Sequence, residues 1–378
     1  MKLRTPLYQV HLSARARMTG FAGWEMPLHY GSQMEEHHAV RRHAGLFDVS
    51  HMCITDLPAG HLPLLRRLLA FDPATLRPGR ARYGVLLNPH GGVIDDVILY
   101  RPDEAGYRLI SNAGTRERVL SWLEEQGAGA VFDHREDLAL LALQGPRARE
   151  LACSTLPREL PPQAMDLPPF GCCRRGEWFL SRTGYTGEDG FELALPAEDA
   201  AGVWQALVGA GFTPAGLAAR DSLRLEAGLN LYGHEMDERT SPLEAGLAWT
   251  IDWEPADRQF IGRTALTRRL QEGIRLGRRG VLLEARGVLR EGQLLFNNGV
   301  QRGRLTSGGF SPSLQRGIGL CRIELAALEE PEQDWAVEIR GKRLPVRLVE
   351  PPFVRRGRSC IEGLPVVGPE QMTRGDKK

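Results

Sequence analysis

The sequence predicts an α+β fold followed by a smaller all-β unit. Three observations lead to this prediction. Apolar strands separated by turn residues dominate residues 82–111, amphipathic helices lie between the strands of the first 270 residues, and short strands replace both patterns after about residue 275. With 378 residues, of which 42% are hydrophobic, the chain is long enough for two or three domains.

The first third of the chain has one clear helix signal and one clear sheet signal. Ser32 and Glu35 form a capping box that predicts a helix ending near Gly45. Residues 46–57 have the character of one strand, and a short helix follows. Further predicted elements are an antiparallel meander at 82–87, 93–100 and 107–111, with its first turn at 88–92, and a helix at 116–126.

The remaining elements lead to a change of pattern. The predicted strands are 138–143, 178–182 and 190–195, and the predicted helices are 200–210 and 220–230. Residues 271–280 are polar and basic and predict a linker, and Asn297-Asn298-Gly299 marks a hairpin turn in the β unit that follows. We expect one region over residues 1–272, a C-terminal β domain over 280–357 and a disordered tail over 358–378.

Composition restricts the partners and the compartment. The net charge of +1 provides no general attraction for nucleic acid or for an acidic membrane, and the sequence contains no run of about 18 apolar residues that would span a bilayer. The N-terminus lacks the apolar segment of a signal peptide, so we expect a cytoplasmic protein. The six cysteines form no Cys-x-x-Cys pair, which predicts reduced thiols.

The basic and imidazole side chains argue against two kinds of cofactor site. Of the 48 basic residues only four are lysines, and Lys342 is the one lysine away from both termini, in a predicted hairpin turn. A Schiff-base lysine for pyridoxal phosphate is therefore not expected. Six of the ten histidines lie in the first 51 residues, but none are spaced four apart on the predicted helix, so we predict no metal site.

The strand at 93–100 contains two adjacent acids, Asp95 and Asp96, in an apolar run. Successive strand side chains point to opposite faces, so whichever face is buried carries a carboxylate. A buried, unpaired carboxylate is costly or takes up a proton through a raised pKa. The alternative is a bulge or an edge strand that lets both acids reach water.

Two further segments allow a binding role or a structural one. Residues 182–192 contain three glycines around Tyr185, with Glu192 at the start of the next strand, which fits either a tight hairpin or a loop that presents an aromatic ring and a carboxylate to a planar ligand. Arg220 and Arg224 share one helix face. They fit either an ion-pair network with neighbouring acids or a site for a ligand carboxylate.

Taken together, these residues resemble the aminomethyltransferases, the T-proteins of the glycine cleavage system. The resemblance covers about residues 1–357. The motifs that carry it are FAGWEMPL (21–28), GLFDVSHM (45–52), GGVIDD (91–96), RTGYTGEDGFE (182–192), ARDSLRLE (219–226), LYGHEMD (231–237) and TSGGFSP (306–312).

The resemblance implies a three-lobed folate-binding fold, with two interwoven α/β lobes and a C-terminal all-β, barrel-like domain around a central channel. It also implies tetrahydrofolate as co-substrate, without a metal or pyridoxal phosphate. The implied partners are the lipoylated H-protein, which delivers an aminomethyl group on sulfur, and the other glycine cleavage proteins. The implied products are ammonia, 5,10-methylenetetrahydrofolate and the reduced lipoyl arm.

The resemblance also implies roles for individual residues. Asp96 matches the folate-facing acid and is the expected catalytic residue, as an acid that positions the folate nitrogens and handles a proton. The residues that match folate-contacting or pocket-lining positions are Tyr83, Asp96, Tyr185, Glu192, Arg220, Met52 and Asn112. Residues 352–356 have no tyrosine where some family members place one at the pocket, so that contact is not expected here.

Two alternatives remain. A related folate-binding protein acts in iron–sulfur cluster assembly, but its signature loop contains a cysteine that residues 182–188 lack. The folate domains of sarcosine- and dimethylglycine-oxidising enzymes are also related. Those enzymes carry an N-terminal flavin domain, whereas this sequence begins at the folate unit.

Overall fold

The computed structural model describes residues 2–127 and 132–367. Its helices are α1 (Tyr8–Ser13), α2 (Gln33–Arg42), α3 (Leu62–Leu68), α4 (Arg116–Gly127), α5 (Ala148–Thr155), α6 (Ala200–Gly209), α7 (Leu217–Glu226) and α8 (Arg263–Glu272). Within these two stretches, no helix has both the length and the apolar character needed to cross a membrane.

The strands pair into five sheets. In chain order they are β1 (Leu3–Arg4), β2 (Arg17–Phe21), β3 (Trp24–His29), β4 (Gly45–Asp48), β5 (Cys53–Pro58), β6 (Arg80–Leu87), β7 (Val93–Arg101), β8 (Gly106–Ser111), β9 (Asp133–His134), β10 (Leu138–Gln144), β11 (Cys172–Arg175), β12 (Trp178–Ser181), β13 (Gly190–Pro196), β14 (Thr213–Pro214), β15 (Leu276–Leu283), β16 (Leu294–Asn297), β17 (Val300–Ser311), β18 (Arg316–Glu324), β19 (Trp335–Ile339), β20 (Lys342–Val349), β21 (Val354–Arg355) and β22 (Arg358–Ser359).

Two lobes are interwoven in the sequence. The first lobe is the five-stranded sheet β6-β7-β8-β5-β9, and the second lobe is the six-stranded sheet β11-β12-β13-β10-β4-β14. The chain enters the second lobe with β4, crosses to the first lobe for β5–β9 and returns with β10. The second lobe buries one face of its sheet against α5 and α6, and the first lobe packs against α4. The predicted interwoven α+β fold is therefore confirmed.

The acidic strand β7 lies between β6 and β8, so it is not an edge strand. A register shift between Leu86 and Leu87 of β6 forms a bulge opposite its start. The bulge does not carry both acids to water, since Asp95 is completely buried. The edge-strand and solvated-bulge alternatives are wrong for Asp95.

The C-terminal unit is a closed barrel in the order β15-β18-β17-β16-β19-β20. Its apolar interior includes Val281, Leu305 and Val337. Helix α7 packs against β17 and β18, and this contact joins the barrel to the rest of the chain. The predicted turn at Asn298 and Gly299 has positive φ values of 50° and 80°.

Four boundaries predicted from the sequence are wrong. The linker predicted at 271–280 is shorter, because α8 extends to Glu272 and β15 begins at Leu276. Residues 46–57 form two strands in different sheets, β4 and β5, and α7 begins and ends earlier than the predicted helix at 220–230. Part of the predicted disordered tail is ordered: β22 pairs with β21, Ile361 is buried, and the Val367 backbone N–H donates to Ser313 O at 2.9 Å. Residues 368–378 of that tail lie outside the described residues.

Candidate functional site

A central cavity of about 780 Å³ lies between the two lobes, α7 and the segment that follows the barrel. All seven residues singled out from the sequence line this one cavity, although they come from six separate parts of the chain. They are Met52, Tyr83, Asp96, Asn112, Tyr185, Glu192 and Arg220. The structure therefore brings together the whole predicted set.

The acid pair of β7 is held by neutral hydrogen-bond donors. Asn112, just after β8, donates from Nδ2 to one oxygen of Asp95 and one oxygen of Asp96, at 2.8 Å each, and its backbone N–H donates to the second oxygen of Asp95 at 2.9 Å. Tyr83 OH donates to the second oxygen of Asp96 at 3.0 Å. One amide thus fixes both carboxyl groups side by side.

Burial raises the pKa of both Asp95 and Asp96. It raises the pKa of Asp96 to about 6, against the opposing effect of the hydrogen bonds from Tyr83 and Asn112. Burial and the adjacent charge of Asp96 raise the pKa of Asp95 to about 8. The pair therefore releases its protons at higher pH than free carboxyl groups do, and because the two acids interact, the two titration steps belong to the pair.

Tyr83 is fixed from two sides. Its hydroxyl is bound to Asp96, and its ring stacks on Trp249 with a centroid distance of 5.6 Å and an interplanar angle of 21°. Trp249 also lines the cavity, yet 65% of it is exposed. The stacked rings offer a flat apolar surface at the cavity entrance.

The glycine-rich loop of residues 182–190 forms the opposite wall. Gly187 adopts φ of 79°, which favours glycine, and the Tyr185 hydroxyl donates to Asn230 O. Glu192, on β13, accepts a hydrogen bond from Thr183 Oγ1 at 2.5 Å, and burial raises the pKa of Glu192. The loop thus connects the antiparallel strands β12 and β13, and this segment also presents an aromatic ring and a carboxylate to the cavity.

The sequence left two roles open for the arginines of α7, an ion-pair network or a ligand site, and the two arginines differ in this respect. Arg224 is part of an ion-pair network, with Asp221 at 2.8 Å and Glu235 at 3.4 Å. Arg220 instead lines the cavity, with its guanidinium carbon 4.6 Å from the Tyr185 ring centroid. Burial lowers the pKa of Arg220, and its charge favours the ionised form of Glu192.

Several lining residues have no signal of their own in the sequence. They include the exposed apolar side chains Phe21, Phe170 and Trp249 and the cations Arg278, Arg355 and Arg356. Over the stretches that the structure describes, no group of three or more His, Cys, Asp or Glu side chains is placed to hold a metal ion.

Family models match both parts of the chain. The model described as the GCVT N-terminal domain matches residues 7–255, and the model described as the glycine cleavage T-protein C-terminal barrel domain matches residues 278–355. The second match coincides with the closed barrel. Together the two models account for most of the 378 residues.

Whole-chain relatives agree with these models. The chain is 48% identical over 363 residues to an aminomethyltransferase of Chromobacterium violaceum, covering 95% of this chain and 99% of the relative. It is 49% identical over 362 residues to an aminomethyltransferase of Methylococcus capsulatus, covering 95% of this chain and 98% of the relative.

A solved structure agrees as well. The crystal structure of the glycine cleavage system aminomethyltransferase T from Bartonella henselae superposes with a TM-score of 0.88 and 37% identity, covering 94% of this chain and 99% of that one. Sequence, family models and fold thus converge, and the chain belongs to the glycine cleavage T-protein family of aminomethyltransferases.

Proposed function

We propose that this protein transfers the methylene carbon of the aminomethyl group on lipoylated H-protein to tetrahydrofolate. Ammonia, 5,10-methylenetetrahydrofolate and the reduced lipoyl arm are the products. The single observation that supports this most is the shared cavity, in which Asp96, with a pKa raised to about 6, lies among aromatic, carboxylate and guanidinium groups.

The cavity suits a reduced folate. Its volume of about 780 Å³ is in the range of small-molecule sites, roughly 300–1,000 Å³. The Glu192 carboxylate can accept two hydrogen bonds from the amino-pyrimidinone edge of a pterin, and Tyr185 and Met52 provide apolar contact for the ring. Burial raises the pKa of Glu192, and the positive charge of Arg220 opposes this shift, so Arg220 favours a charged acceptor at this edge.

In the reaction two carbon–nitrogen bonds to tetrahydrofolate form, the carbon–sulfur bond breaks with its electron pair staying on sulfur, and the amine leaves as ammonia. The two protons lost by the folate nitrogens balance the one gained by the sulfur and the one gained by the ammonia. Tetrahydrofolate, when bound, supplies the two nitrogen atoms that take up the carbon. Above pH 6 Asp96 is ionised and can accept a proton released as a carbon–nitrogen bond forms. Tyr83 and Asn112 hold both oxygens of Asp96, so the carboxylate is oriented before the substrate arrives.

The entrance of the cavity suits the lipoyl arm. Phe21, Phe170 and Trp249 line it and are 38%, 40% and 65% exposed. Exposed aromatic side chains at a cavity opening are typical of binding surfaces. Because the arm is an apolar chain that ends in sulfur, we assign it to this rim, with the rest of the H-protein outside the cavity.

The iron–sulfur assembly role is less well supported. The loop at 182–188 has no cysteine, and the acid pair Asp95–Asp96 is placed for proton handling. No observation on the described residues favours that role over carbon transfer.

The decisive experiment measures ammonia released from aminomethylated H-protein, with and without tetrahydrofolate. We expect release to be strongly stimulated by tetrahydrofolate and to match the methylenetetrahydrofolate formed, mole for mole. Ammonia release that is independent of tetrahydrofolate, or no release at all, would contradict the proposal.

A further inference from the structure

His51 lines the central cavity at the point where the chain crosses from the second lobe to the first. It lies in the short turn between β4 and β5, and only 1% of it is exposed. Its Nδ1 atom is buried and has no hydrogen-bond partner among the residues that the structure describes. Roughly 90% or more of buried polar groups in proteins have a partner, so an imidazole without one at a cavity wall points to a ligand.

The two ring nitrogens of His51 differ in their surroundings. Nδ1 is enclosed by protein, whereas Nε2 is not enclosed and has no hydrogen bond to any described residue. Because the residue as a whole is buried, the open space next to Nε2 is the cavity. An enclosed N–H without an acceptor is less tolerable than an enclosed lone pair, which favours the tautomer with its proton on Nε2. That tautomer presents an N–H donor to the cavity.

The turn that carries His51 is held in place. Ser50 N–H donates to Asp48 Oδ1 at 2.9 Å, and Leu140 N–H donates to Ser50 Oγ at 3.0 Å. The edge of one ring meets the face of the other between His51 and Phe21, with a centroid distance of 5.6 Å and an interplanar angle of 81°. The donor therefore has its orientation before a ligand arrives, which reduces the cost of binding.

The ring of His51 is neutral near physiological pH. Burial, together with the positive charge of Arg220, lowers the pKa of His51 to about 4, against the opposing charge of Asp48. His51 thus adds a hydrogen-bond donor to the cavity without adding a charge. An uncharged acceptor, such as a carbonyl oxygen, is a sufficient partner for it.

Arg220 links His51 with the part of the cavity that contains Glu192. The charge of Arg220 acts on the titration of both side chains, and all three line the cavity. In a pterin, the carbonyl oxygen of the pyrimidinone ring is next to the ring N–H that a carboxylate such as Glu192 binds. A donor on the same side of the cavity as Glu192 is therefore placed for that oxygen.

We propose that His51 is a specificity-determining residue that donates its Nε2 N–H to the pyrimidinone carbonyl oxygen of the pterin. This deepens the proposed function and rests on it. The hydrogen bond selects a 4-oxo pterin over a 4-amino pterin, because an amino group at that place would turn its own N–H toward the N–H of His51. Contacts from both Glu192 and His51 along one edge also fix the rotation of the pterin in the cavity.

The test measures the binding of tetrahydrofolate and of its 4-amino-4-deoxy analogue by calorimetry, with the full-length chain and without oxygen. We expect the unmodified protein to prefer tetrahydrofolate. Part of this preference comes from Glu192, since the analogue also lacks the neighbouring ring N–H. In His51→Leu, tetrahydrofolate should bind about tenfold more weakly and the analogue at least as tightly as before. His51→Gln keeps an N–H donor and should recover part of the affinity.

Stability separates this role from simple packing. Because His51→Leu removes a buried nitrogen without a partner, its denaturation midpoint should be unchanged or higher, although tetrahydrofolate binding is weaker. His38→Leu is the matched control. His38 also has a buried ring nitrogen without a described partner and a pKa lowered to about 4, but it does not line the cavity. His38→Leu should leave both dissociation constants unchanged.

A nitrogen-15 NMR measurement decides the question if His51→Leu does not fold. The Nε2 signal of His51 in the unmodified protein should show a bound proton and should move when tetrahydrofolate is added, but much less with the analogue. A signal that tetrahydrofolate leaves in place would overturn the proposal.

The calorimetric outcomes separate the two proposals. An equal loss of affinity for both ligands in His51→Leu, or no loss for tetrahydrofolate, would overturn the role of His51. If the unmodified protein did not bind tetrahydrofolate, or bound it with the expected preference but transferred no carbon, the proposed function itself would be contradicted. In the second of these cases the hydrogen bond from His51 would still stand.

Discussion

Two buried acid sites of this molecule titrate in opposite directions. Glu226, at the end of α7, accepts from Arg41 Nε at 3.0 Å and Nη2 at 2.8 Å and from Ser313 Oγ at 2.8 Å. Burial alone would raise the pKa of Glu226, yet the charges and hydrogen bonds of His37 and Arg41 outweigh it and lower that pKa. The result is a permanently charged junction between α2, α7 and the barrel.

The acid pair of β7, in which Asp95 is fully buried and Asp96 lines the cavity, has only neutral donors. Asn112 and Tyr83 satisfy the oxygens of Asp95 and Asp96 without supplying positive charge, so burial prevails and both pKa values rise. The comparison teaches that burial alone does not decide the pKa of an acid in this molecule. A neighbouring cation lowers the pKa and keeps a structural acid charged, whereas an acid without one has a raised pKa. The uncompensated pair can exchange a proton near neutral pH.

The largest effect is expected at the structural acid. Glu226→Gln leaves Arg41 buried with one charged partner fewer, and we expect the free energy of unfolding to fall by about 3–5 kcal/mol at pH 7. Chemical denaturation measures this. Because the pKa of Glu226 in the folded protein lies below its ordinary value of 4.5, the difference in stability from the unmodified protein should shrink as the pH falls below about 4.5.

A matched control removes a similar charge at the surface. Glu25 pairs with Arg4 at 2.7 Å in an exposed position. Glu25→Gln should leave the denaturation midpoint unchanged within error. Equal loss of stability in both variants would contradict the claim that the buried pair contributes more to stability than the exposed pair.

At the reactive acid, Asp96→Asn should lower turnover at least about a hundredfold, because the amide cannot accept the proton. Folding and folate binding should be largely retained, since an amide oxygen can still accept a hydrogen bond from Tyr83 or Asn112. Single-turnover formation of methylenetetrahydrofolate measures the first effect and calorimetry the second. Near-normal turnover would remove Asp96 from the mechanism.

The pH dependence gives a second view of the same carboxylate. Because the pKa of Asp96 is raised to about 6, a reaction that needs its ionised form should show kcat/KM that is level above about pH 7, about half its limiting value near pH 6, and about tenfold lower for each further pH unit below. The remaining activity of Asp96→Asn should not show this fall of kcat/KM at low pH. A profile without any limb between pH 4.5 and 7.5 would contradict the assigned role.

Arg220 should show the smallest of these effects. In Arg220→Ala, Glu192 loses the positive charge that favours its ionised form, and we expect the folate dissociation constant to rise about tenfold with a smaller change in kcat. Arg220→Lys, which keeps the charge, should recover part of the affinity. An unchanged dissociation constant in the alanine variant would refute the assignment.

Local signals in the sequence predicted local structure well. The capping box at Ser32 is present, with Glu35 N–H donating to Ser32 Oγ at 3.3 Å. The meander at β6–β8 and the turn at Asn298 were also predicted, because turn chemistry and strand periodicity act over a few residues. The apolar strand pattern drew attention to the pair Asp95 and Asp96, because a buried carboxylate is costly, and the resemblance to the aminomethyltransferases selected Asp96 from that pair.

Features that depend on distant parts of the chain were not predicted. The break between β4 and β5 has no glycine or proline. It is set by Asp48, which accepts from Ser50 N–H at 2.9 Å and contacts Thr5 at 2.6 Å and His11 at 2.8 Å, both far back in the sequence. Trp249 likewise gains its place only when its short helical turn stacks against Tyr83.

The anchored hairpin after the barrel has a consequence for synthesis. A chain leaves the ribosome N-terminus first, and its early domains fold before its later ones exist. The two lobes can therefore assemble while the wall formed by Arg355 and Arg356 is still missing. A nascent chain that has not yet reached Arg356 lacks this part of the cavity lining, so the complete cavity forms only near the end of translation.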